Sequence, residues 1–257
     1  VVILDGGLAT ELEAAGCELD SKLWSASLLV QNPQIISQVH TKYLEAGADI
    51  ITTSSYQATI KGFTDMGLSL QRAQSLLQKS VELAKEARAQ TSGAPASGAG
   101  LHRWRPLVAA SVGSYGAYMA DGSEYLGTYG RAKGAAFLAE WHARQLEELV
   151  QAGPDLLAFE TVPCLEEVEA IVGLLNGVDP RVPLPPAWVS LACKDGSTLP
   201  SGALLGDAVR AIEKFDAHRR VVAVGVNCLG PALLEQAVAT VRRHSTRVVL
   251  GAFNREG

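Results

Sequence analysis

A single cysteine follows a run of apolar, mostly β-branched residues in the stretch "RVVAVGVNCLGP". The run predicts a buried strand, and Asn227 and Cys228 stand at its end. A thiol in this position is either an inert residue of the core or a metal ligand, and the residues of this stretch leave both interpretations open. A metal would need further ligands from other parts of the chain.

Carboxylates stand at the ends of two other apolar strands. Asp5 ends "VVILD" and precedes Gly6 and Gly7, and Glu160 ends "DLLAFE". Asp5 is either a turn-capping residue or a site residue. Burying an unpaired carboxylate at the end of a fully apolar strand costs free energy. We therefore predict that Glu160 is either a functional residue or part of a structural ion pair.

Seven apolar segments alternate with amphipathic helical patterns and thereby place these polar residues at strand ends. The segments are "VVILD", "DIITTS", "PLVAASVG", "DLLAFE", "PAWVSLAC", "RVVAVGVN" and "TRVVLGAF". Continuous apolar strands separated by helices are typical of a parallel sheet covered by helices. We predict an α/β fold of the (β/α)8 TIM-barrel class that lacks its last βα unit, with a doubly wound sheet as the alternative. Residues 1–257 are predicted to form one domain, with a flexible insertion near 91–106.

Composition excludes several classes of function. The chain of 257 residues is 47% hydrophobic and 19% charged, with a net charge of −5, which argues against nucleic-acid and anionic-membrane partners. No apolar run reaches the roughly 18 residues of a membrane-spanning helix. The four cysteines are scattered without a CxxC pair, so free thiols and a cytoplasmic location are expected.

Common cofactor motifs are missing from the sequence. The five histidines form no HxxxH pair, and neither GxGxxG nor a GK[ST] P-loop occurs, so a histidine metal site and nucleotide binding have little support. A metal-free lyase or aldolase would need a Schiff-base lysine, for which Lys194 is the nearest candidate.

Several motifs in this order resemble those of homocysteine S-methyltransferases, most closely the type that uses S-methylmethionine or S-adenosylmethionine. They are "LDGGLATELEAAG", "LWSA", "YLEAGADIITTSSYQAT", "AASVGSYGA", "FETVPCLEEVEAI" and "GVNCLGP". The resemblance extends from Val1 to about Pro231 and includes the related betaine-dependent enzymes. It implies a (β/α)8 barrel with one Zn²⁺ at the rim, held by three cysteine thiolates, and homocysteine sulfur at the open position.

The resemblance also implies roles for particular residues. Cys228 corresponds to the first zinc ligand, and the other two are adjacent cysteines of a "GGCC" motif. Substrate-binding positions correspond to Asp5, Gly6, Gly7, Glu160 and Asn227. Trp24 and Tyr56 are either walls for a cationic donor, through cation–π attraction, or ordinary packing residues.

The expected zinc chemistry explains these residue types. A free thiol is mostly protonated at neutral pH, whereas coordination to zinc keeps the sulfur as a positioned thiolate nucleophile. Soft thiolate ligands suit zinc, and catalysis requires an open fourth position. Carboxylates that pair with the substrate ammonium would fix the direction of attack on the methyl group.

The sequence departs from this pattern because it contains no "GGCC". Even Cys228 and Cys193 together are one ligand short. The expectation is therefore either an enzyme whose zinc-binding segment is absent from these residues, or a truncated or non-catalytic homologue that acts through partners or self-association. We predict little methyltransferase activity for residues 1–257 by themselves. Small-molecule substrates are the expected partners, with a possible homo-oligomer.

Overall fold

The computed structural model describes residues 1–19, 23–91 and 104–253, so most of the predicted insertion near 91–106 lies outside the described residues. The helices of the described ranges are α1 (Leu8–Ala14), α2 (Leu28–Gln31), α3 (Pro33–Ala46), α4 (Ile60–Asp65), α5 (Leu70–Thr91), α6 (Tyr115–Met119), α7 (Tyr129–Gln151), α8 (Leu165–Gly177), α9 (Leu205–Phe215) and α10 (Pro231–His244). The strands are β1 (Ile50–Thr52), β2 (Leu107–Gly113), β3 (Leu156–Val162), β4 (Ala187–Ala192), β5 (Val221–Leu229) and β6 (Val248–Phe253). Short 3-10 helices cover Trp24–Ser27 and Ser123–Tyr125.

The chain divides into two compact units. Unit 1 consists of Val1–Ser111 and Glu147–Leu156, and unit 2 consists of Val112–Leu146 and Leu157–Gly257. The prediction of one domain over residues 1–257 is not tested by this division and stays a prediction.

Every observed strand pairing is parallel. In unit 1, β1 pairs with β2, and in unit 2, β3 pairs with β4, β4 with β5, and β5 with β6. Strands that are neighbours in the sheet are also neighbours in the chain. This order is consistent with part of a TIM-type barrel and differs from a doubly wound sheet, whose strand order reverses at a switch point.

The first predicted strand, "VVILD", is much shorter in the structure than expected. Leu4 forms an isolated parallel bridge with Ile50, and residues 1–3 are exposed. A few backbone hydrogen bonds, such as Asp5 N to Ile50 O at 3.0 Å, still tie this segment to β1. The apolar run therefore does not become a full strand, although its backbone is bonded to the edge of β1. The other six predicted strands are confirmed.

Local sequence signals explain the helix ends near the strands. Pro33 lies in the first turn of α3, and Gly47 ends this helix with φ 109°, a left-handed conformation that glycine adopts without steric cost. Pro231 begins α10 in the same way, and its last turn carries Arg242, Arg243 and His244, which interact favourably with the helix dipole. All six residues of β4 are buried, as expected for a strand covered on both faces.

Candidate functional site

In unit 1, the Asp5 carboxylate is held at the end of β1. Its Oδ2 accepts a hydrogen bond from Thr52 N at 2.7 Å, and Thr52 Oγ1 lies 3.1 Å from both carboxylate oxygens. These bonds hold the N-terminal segment on β1. These contacts are to β1 and not to the Gly6-Gly7 turn, so both interpretations of Asp5, as a turn cap and as a site residue, stay predictions.

Gly6 makes room for the ring of Tyr43, and the backbone of Gly7 binds its hydroxyl group. The Tyr43 hydroxyl donates to Gly7 O at 3.1 Å, and a Cβ at Gly6 would lie 2.8 Å from the Tyr43 hydroxyl oxygen. Burial, followed by the charges of Glu11 and Asp5, raises the pKa of Tyr43 to about 12. The Tyr43 hydroxyl is therefore neutral at physiological pH and acts here as a hydrogen-bond donor.

The two candidate aromatic walls also belong to unit 1. Trp24 begins the 3-10 helix with φ 45° and is 38% exposed. A positive φ is uncommon outside glycine and costs about 1–3 kcal/mol, so the surrounding structure imposes this conformation. Tyr56 is half-buried in the bend after β1. Their role toward a cationic donor stays a prediction.

Buried hydroxyl groups tie the ends of β1 and β2 together. Thr53 Oγ1 lies 2.6 Å from Ser55 Oγ, Ser55 Oγ donates to Ser111 O at 2.6 Å, and Ser111 N donates to Thr53 Oγ1 at 3.0 Å. The buried hydroxyl groups of Thr53 and Ser55 are thus hydrogen-bonded, as is usual for buried polar groups, whereas Ser54 Oγ has no partner among the described residues.

In unit 2, Thr161, Asn227 and Cys228 form one hydrogen-bonded group at the ends of β3 and β5. Asn227 Oδ1 accepts from Thr161 N at 3.2 Å, while Asn227 Nδ2 donates to Thr161 Oγ1 at 2.8 Å and to Cys228 Sγ at 3.6 Å. Thr161 Oγ1 lies 3.8 Å from Cys228 Sγ. The structure thereby brings together two predicted site residues, Asn227 and Cys228, with a threonine that sequence reasoning did not single out.

The backbone at this point is irregular on both strands. Thr161 has φ 59° and Cys228 has φ 52°, and the register shifts between Phe159 and Val162 on β3 and between Val226 and Leu229 on β5. Such bulges bend a strand and re-aim a side chain, and left-handed non-glycine residues cluster where function needs a strained arrangement. The paired irregularities mark this as the candidate site of unit 2.

The Cys228 side chain is exposed, although the protein around it removes part of its hydration. This desolvation raises the pKa of the Cys228 thiol, the hydrogen bond from Thr161 opposes the shift, and the charges of Glu160 and Glu124 add to it. Glu160 is half-buried at the end of β3. A raised pKa means that the protein alone does not stabilise a thiolate here.

Cys193 and Lys194 follow β4. Their surroundings give little support to Cys193 as a metal ligand or to Lys194 as a Schiff-base lysine. Burial, with a contribution from Asp195, raises the pKa of the half-buried Cys193 to about 12, which suits a packing residue. Lys194 is exposed in a turn, whereas a Schiff-base lysine is usually activated by desolvation. The adjacent Asp195 caps the turn by accepting from Ser197 N at 3.0 Å and Thr198 N at 2.8 Å.

The described residues do not fit a zinc ion by themselves. Within residues 1–19, 23–91 and 104–253, no three His, Cys, Asp or Glu side chains form a group able to hold a metal. Cys228 is a single thiol at a strand end, and structural and catalytic zinc sites need at least three protein ligands.

A surface groove of about 620 Å³ lies elsewhere, between α3 and α5 in unit 1. It is lined mostly by polar residues of the two helices and contains none of the predicted site residues. No helix in the described part of the chain is long and apolar enough to span a membrane.

Sequence reasoning also missed a buried carboxylate, Glu167 on α8. Its Oε1 accepts from Tyr115 N at 2.7 Å and from His142 Nε2 at 2.8 Å, and its Oε2 accepts from the Tyr129 hydroxyl. Glu167 and His142 are 0% and 1% exposed as side chains. Glu167 stands in the quoted stretch "FETVPCLEEVEAI", but only the fold shows that its helical position faces the interior.

These features define an α/β protein of parallel strands with a candidate site at the strand ends. The model of the homocysteine S-methyltransferase family matches residues 2–256. The chain is 46% identical over 248 residues to homocysteine S-methyltransferase 1 of Arabidopsis thaliana, covering 96% of this chain and 74% of that protein. It is 40% identical over 250 residues to homocysteine S-methyltransferase YbgG of Bacillus subtilis, covering 97% and 76%.

Solved structures give the same result. The oxidized form of the homocysteine methyltransferase MmuM from Escherichia coli matches with a TM-score of 0.88 and 40% identity, covering 99% of this chain and 82% of that chain. Its metallated form matches with a TM-score of 0.83 and 37% identity, covering 99% and 92%. The chain belongs to the homocysteine S-methyltransferase family, a family of transferases. These similarities do not favour the alternative of a non-catalytic homologue.

Proposed function

We propose that this protein transfers a methyl group from a sulfonium donor, S-methylmethionine or S-adenosylmethionine, to homocysteine to give methionine. The observation that carries the proposal is the strained strand-end group of Thr161, Asn227 and Cys228, in a chain of this family. We further propose that the six strands are part of a (β/α)8 barrel. The cytoplasmic location and a homo-oligomer stay predictions.

The reaction is a direct displacement at carbon. Homocysteine sulfur forms a bond to the methyl carbon while the bond from that carbon to the donor sulfur breaks. The bonding electron pair goes to the donor sulfur, which loses its positive charge, and the homocysteine thiol releases its proton. The protein must therefore hold two sulfur atoms in line with the methyl group, and such positioning lowers the entropic part of the barrier.

The proposed residue roles follow from the chemistry of the substrates. Glu160 and Asp5 are proposed to interact with the homocysteine ammonium group and its backbone atoms, and Gly6 and Gly7 to allow close approach. Asn227 would orient the strand end that carries Cys228, through its bonds to Thr161. Trp24 and Tyr56 are proposed walls for the cationic donor.

We propose Cys228 as the position of a metal ligand. Its exposure and its place at a strand end support this role. The described residues supply only this one of the three thiolates that the family resemblance implies, and one thiolate does not hold zinc. Low turnover is therefore expected for residues 1–257 alone.

A test is homocysteine-dependent formation of labelled methionine from a methyl-labelled donor, together with calorimetric measurement of homocysteine binding. We expect binding and slow transfer, with transfer lost in Cys228→Ser and retained in Cys17→Ser, a half-buried cysteine of unit 1. A protein that neither binds homocysteine nor transfers the methyl group would refute the proposal.

A further inference from the structure

A second carboxylate of unit 2 is buried without a full set of partners. Glu124, in the 3-10 helix Ser123–Tyr125, is 8% exposed. Its Oε2 has no hydrogen-bond partner among the described residues. A buried carboxylate oxygen without a donor is costly, so its retention calls for an explanation.

The backbone holds Glu124 in a fixed place. A Cβ at Gly116 would lie 2.7 Å from Glu124 Cα, so the 3-10 helix packs directly on the backbone of α6. Gly127 N donates to Ser123 O at 2.8 Å, and Gly127 has φ 64°. A Cβ at Gly127 would lie 2.6 Å from Pro163 O, just after β3. The segment is therefore fixed both to α6 and to the end of β3.

Glu124 lies near the candidate site, because the segment that carries it packs on Pro163, two residues after Thr161. Burial is the largest cause that raises the pKa values of Cys228 and Tyr125, and the charge of Glu124 adds to both shifts. Burial, with a contribution from Asp121, raises the pKa of Glu124 itself. None of the ion pairs in the described ranges involves Glu124, so no cationic side chain of these ranges serves as the partner of Oε2.

We propose that Glu124 binds a cationic group of the substrates beside Cys228, either the donor sulfonium or an amino-acid ammonium group. The inference rests on the proposed function, which brings both cations to this end of the strands. A carboxylate that is held in place forms charge-assisted hydrogen bonds to a cation, and these are about twice as strong as neutral ones. A cation bound there would supply the partner that Oε2 lacks.

The two cations behave differently during the reaction. The sulfonium charge disappears when the methyl group leaves, whereas an ammonium charge is unchanged. A carboxylate beside the sulfonium therefore favours the bound donor over the neutral thioether product. Methionine has the same amino-acid head as S-methylmethionine but no sulfonium, so comparing these two ligands separates the two sources of positive charge.

The experiment is calorimetric titration of S-methylmethionine, methionine and homocysteine into wild type, Glu124→Gln and the matched control Glu169→Gln, an exposed glutamate of the same unit. We expect Kd for at least one ligand to rise about 10- to 100-fold in Glu124→Gln, because hydrogen bonds to charged groups are worth about 1.5–3 kcal/mol. Loss for S-methylmethionine alone assigns the sulfonium. Equal loss for S-methylmethionine and methionine, or loss for homocysteine, assigns an ammonium group.

Unchanged affinities in Glu124→Gln, or an equal loss in Glu169→Gln, would overturn the inference while leaving the proposed function intact. A wild type that binds none of the three ligands would overturn both. Glu124→Met, which has a similar length and no charge, serves as a second variant. Urea unfolding of both variants separates a loss of binding from a loss of folding, and affinities that remain unchanged in a folded Glu124→Met also reject the inference.

Discussion

Removing the Glu167 carboxylate should destabilise the protein far more than removing an exposed glutamate. The carboxylate is fully buried and accepts hydrogen bonds from Tyr115 N, His142 Nε2 and the Tyr129 hydroxyl. In Glu167→Ala, these three donors lose their acceptor in a place that bulk water does not reach. Burial, followed by the charge of Glu167, also raises the pKa of Tyr129, so its hydroxyl stays protonated and continues to need an acceptor.

The expected magnitude follows from the number of donors. A buried donor without a partner costs about 1–3 kcal/mol, and breaking a buried charged pair costs about 3–5 kcal/mol. Partial relaxation makes these costs less than additive, so we expect Glu167→Ala to lower the free energy of unfolding by about 3–5 kcal/mol. In a protein of this size, each kcal/mol lowers Tm by about 2–4 °C, which gives a decrease of about 6–20 °C.

The assay is urea unfolding followed by tryptophan fluorescence, with Glu169→Ala as the matched control. Glu169 is exposed on the same helix, two residues away, so it reports the helix-propensity part of the change. Glu167→Gln keeps one carbonyl acceptor and should lose about 1–3 kcal/mol. The reasoning would be refuted if the free energies of unfolding of Glu167→Ala and Glu169→Ala differed by less than about 1 kcal/mol. Leaving the three donors unpaired should cost more than this.

Three further predictions concern other parts of the chain. Asn227→Asp removes the donor to Thr161 Oγ1 and should lower the free energy of unfolding by about 1–3 kcal/mol in urea; an unchanged midpoint would contradict the hydrogen-bonded geometry. Burial lowers the pKa of His40 from 6.5 to about 4, so its contribution to stability is complete above pH 6.5 and is lost as pH falls toward 4. The loss is about 3 kcal/mol and should be missing in His40→Leu, as measured by urea unfolding at each pH. A polypeptide of residues 1–257 should retain well under one zinc per chain after gel filtration, measured by atomic absorption; stoichiometric zinc would contradict the ligand count at Cys228.

The alternating pattern of strands and helices was predictable because buried parallel strands are continuous apolar runs. All six residues of β4 are apolar or small, and α3 has both its proline start and its glycine stop. The segment at residues 1–5 also begins with a run of apolar residues, and it forms only a bridge at Leu4. Composition reports the tendency of a segment to be buried, whereas strand formation also depends on neighbours that lie far away in the sequence.

The candidate site was predictable in part. Asn227 and Cys228 carry the motif and do lie together at a strand end, but Thr161 lies 66 residues from Asn227 in sequence and is recognisable only from their hydrogen bonds. The burial of Glu124 was not predictable either, because the sequence "DGSEY" has the pattern of an ordinary exposed turn. Its burial depends on the close approach that Gly116 permits, and a sequence pattern does not reveal such packing.

The paired bulges on β3 and β5 have a consequence for protein engineering. Successive side chains of a regular strand point to opposite faces, and a single extra residue reverses that alternation. Grafting Asn227 and Cys228 onto a straight strand of another scaffold would therefore send the amide and the thiol in directions different from those seen here. A designer who wants this thiol must copy the left-handed backbone of Thr161 and Cys228 as well as the side chains.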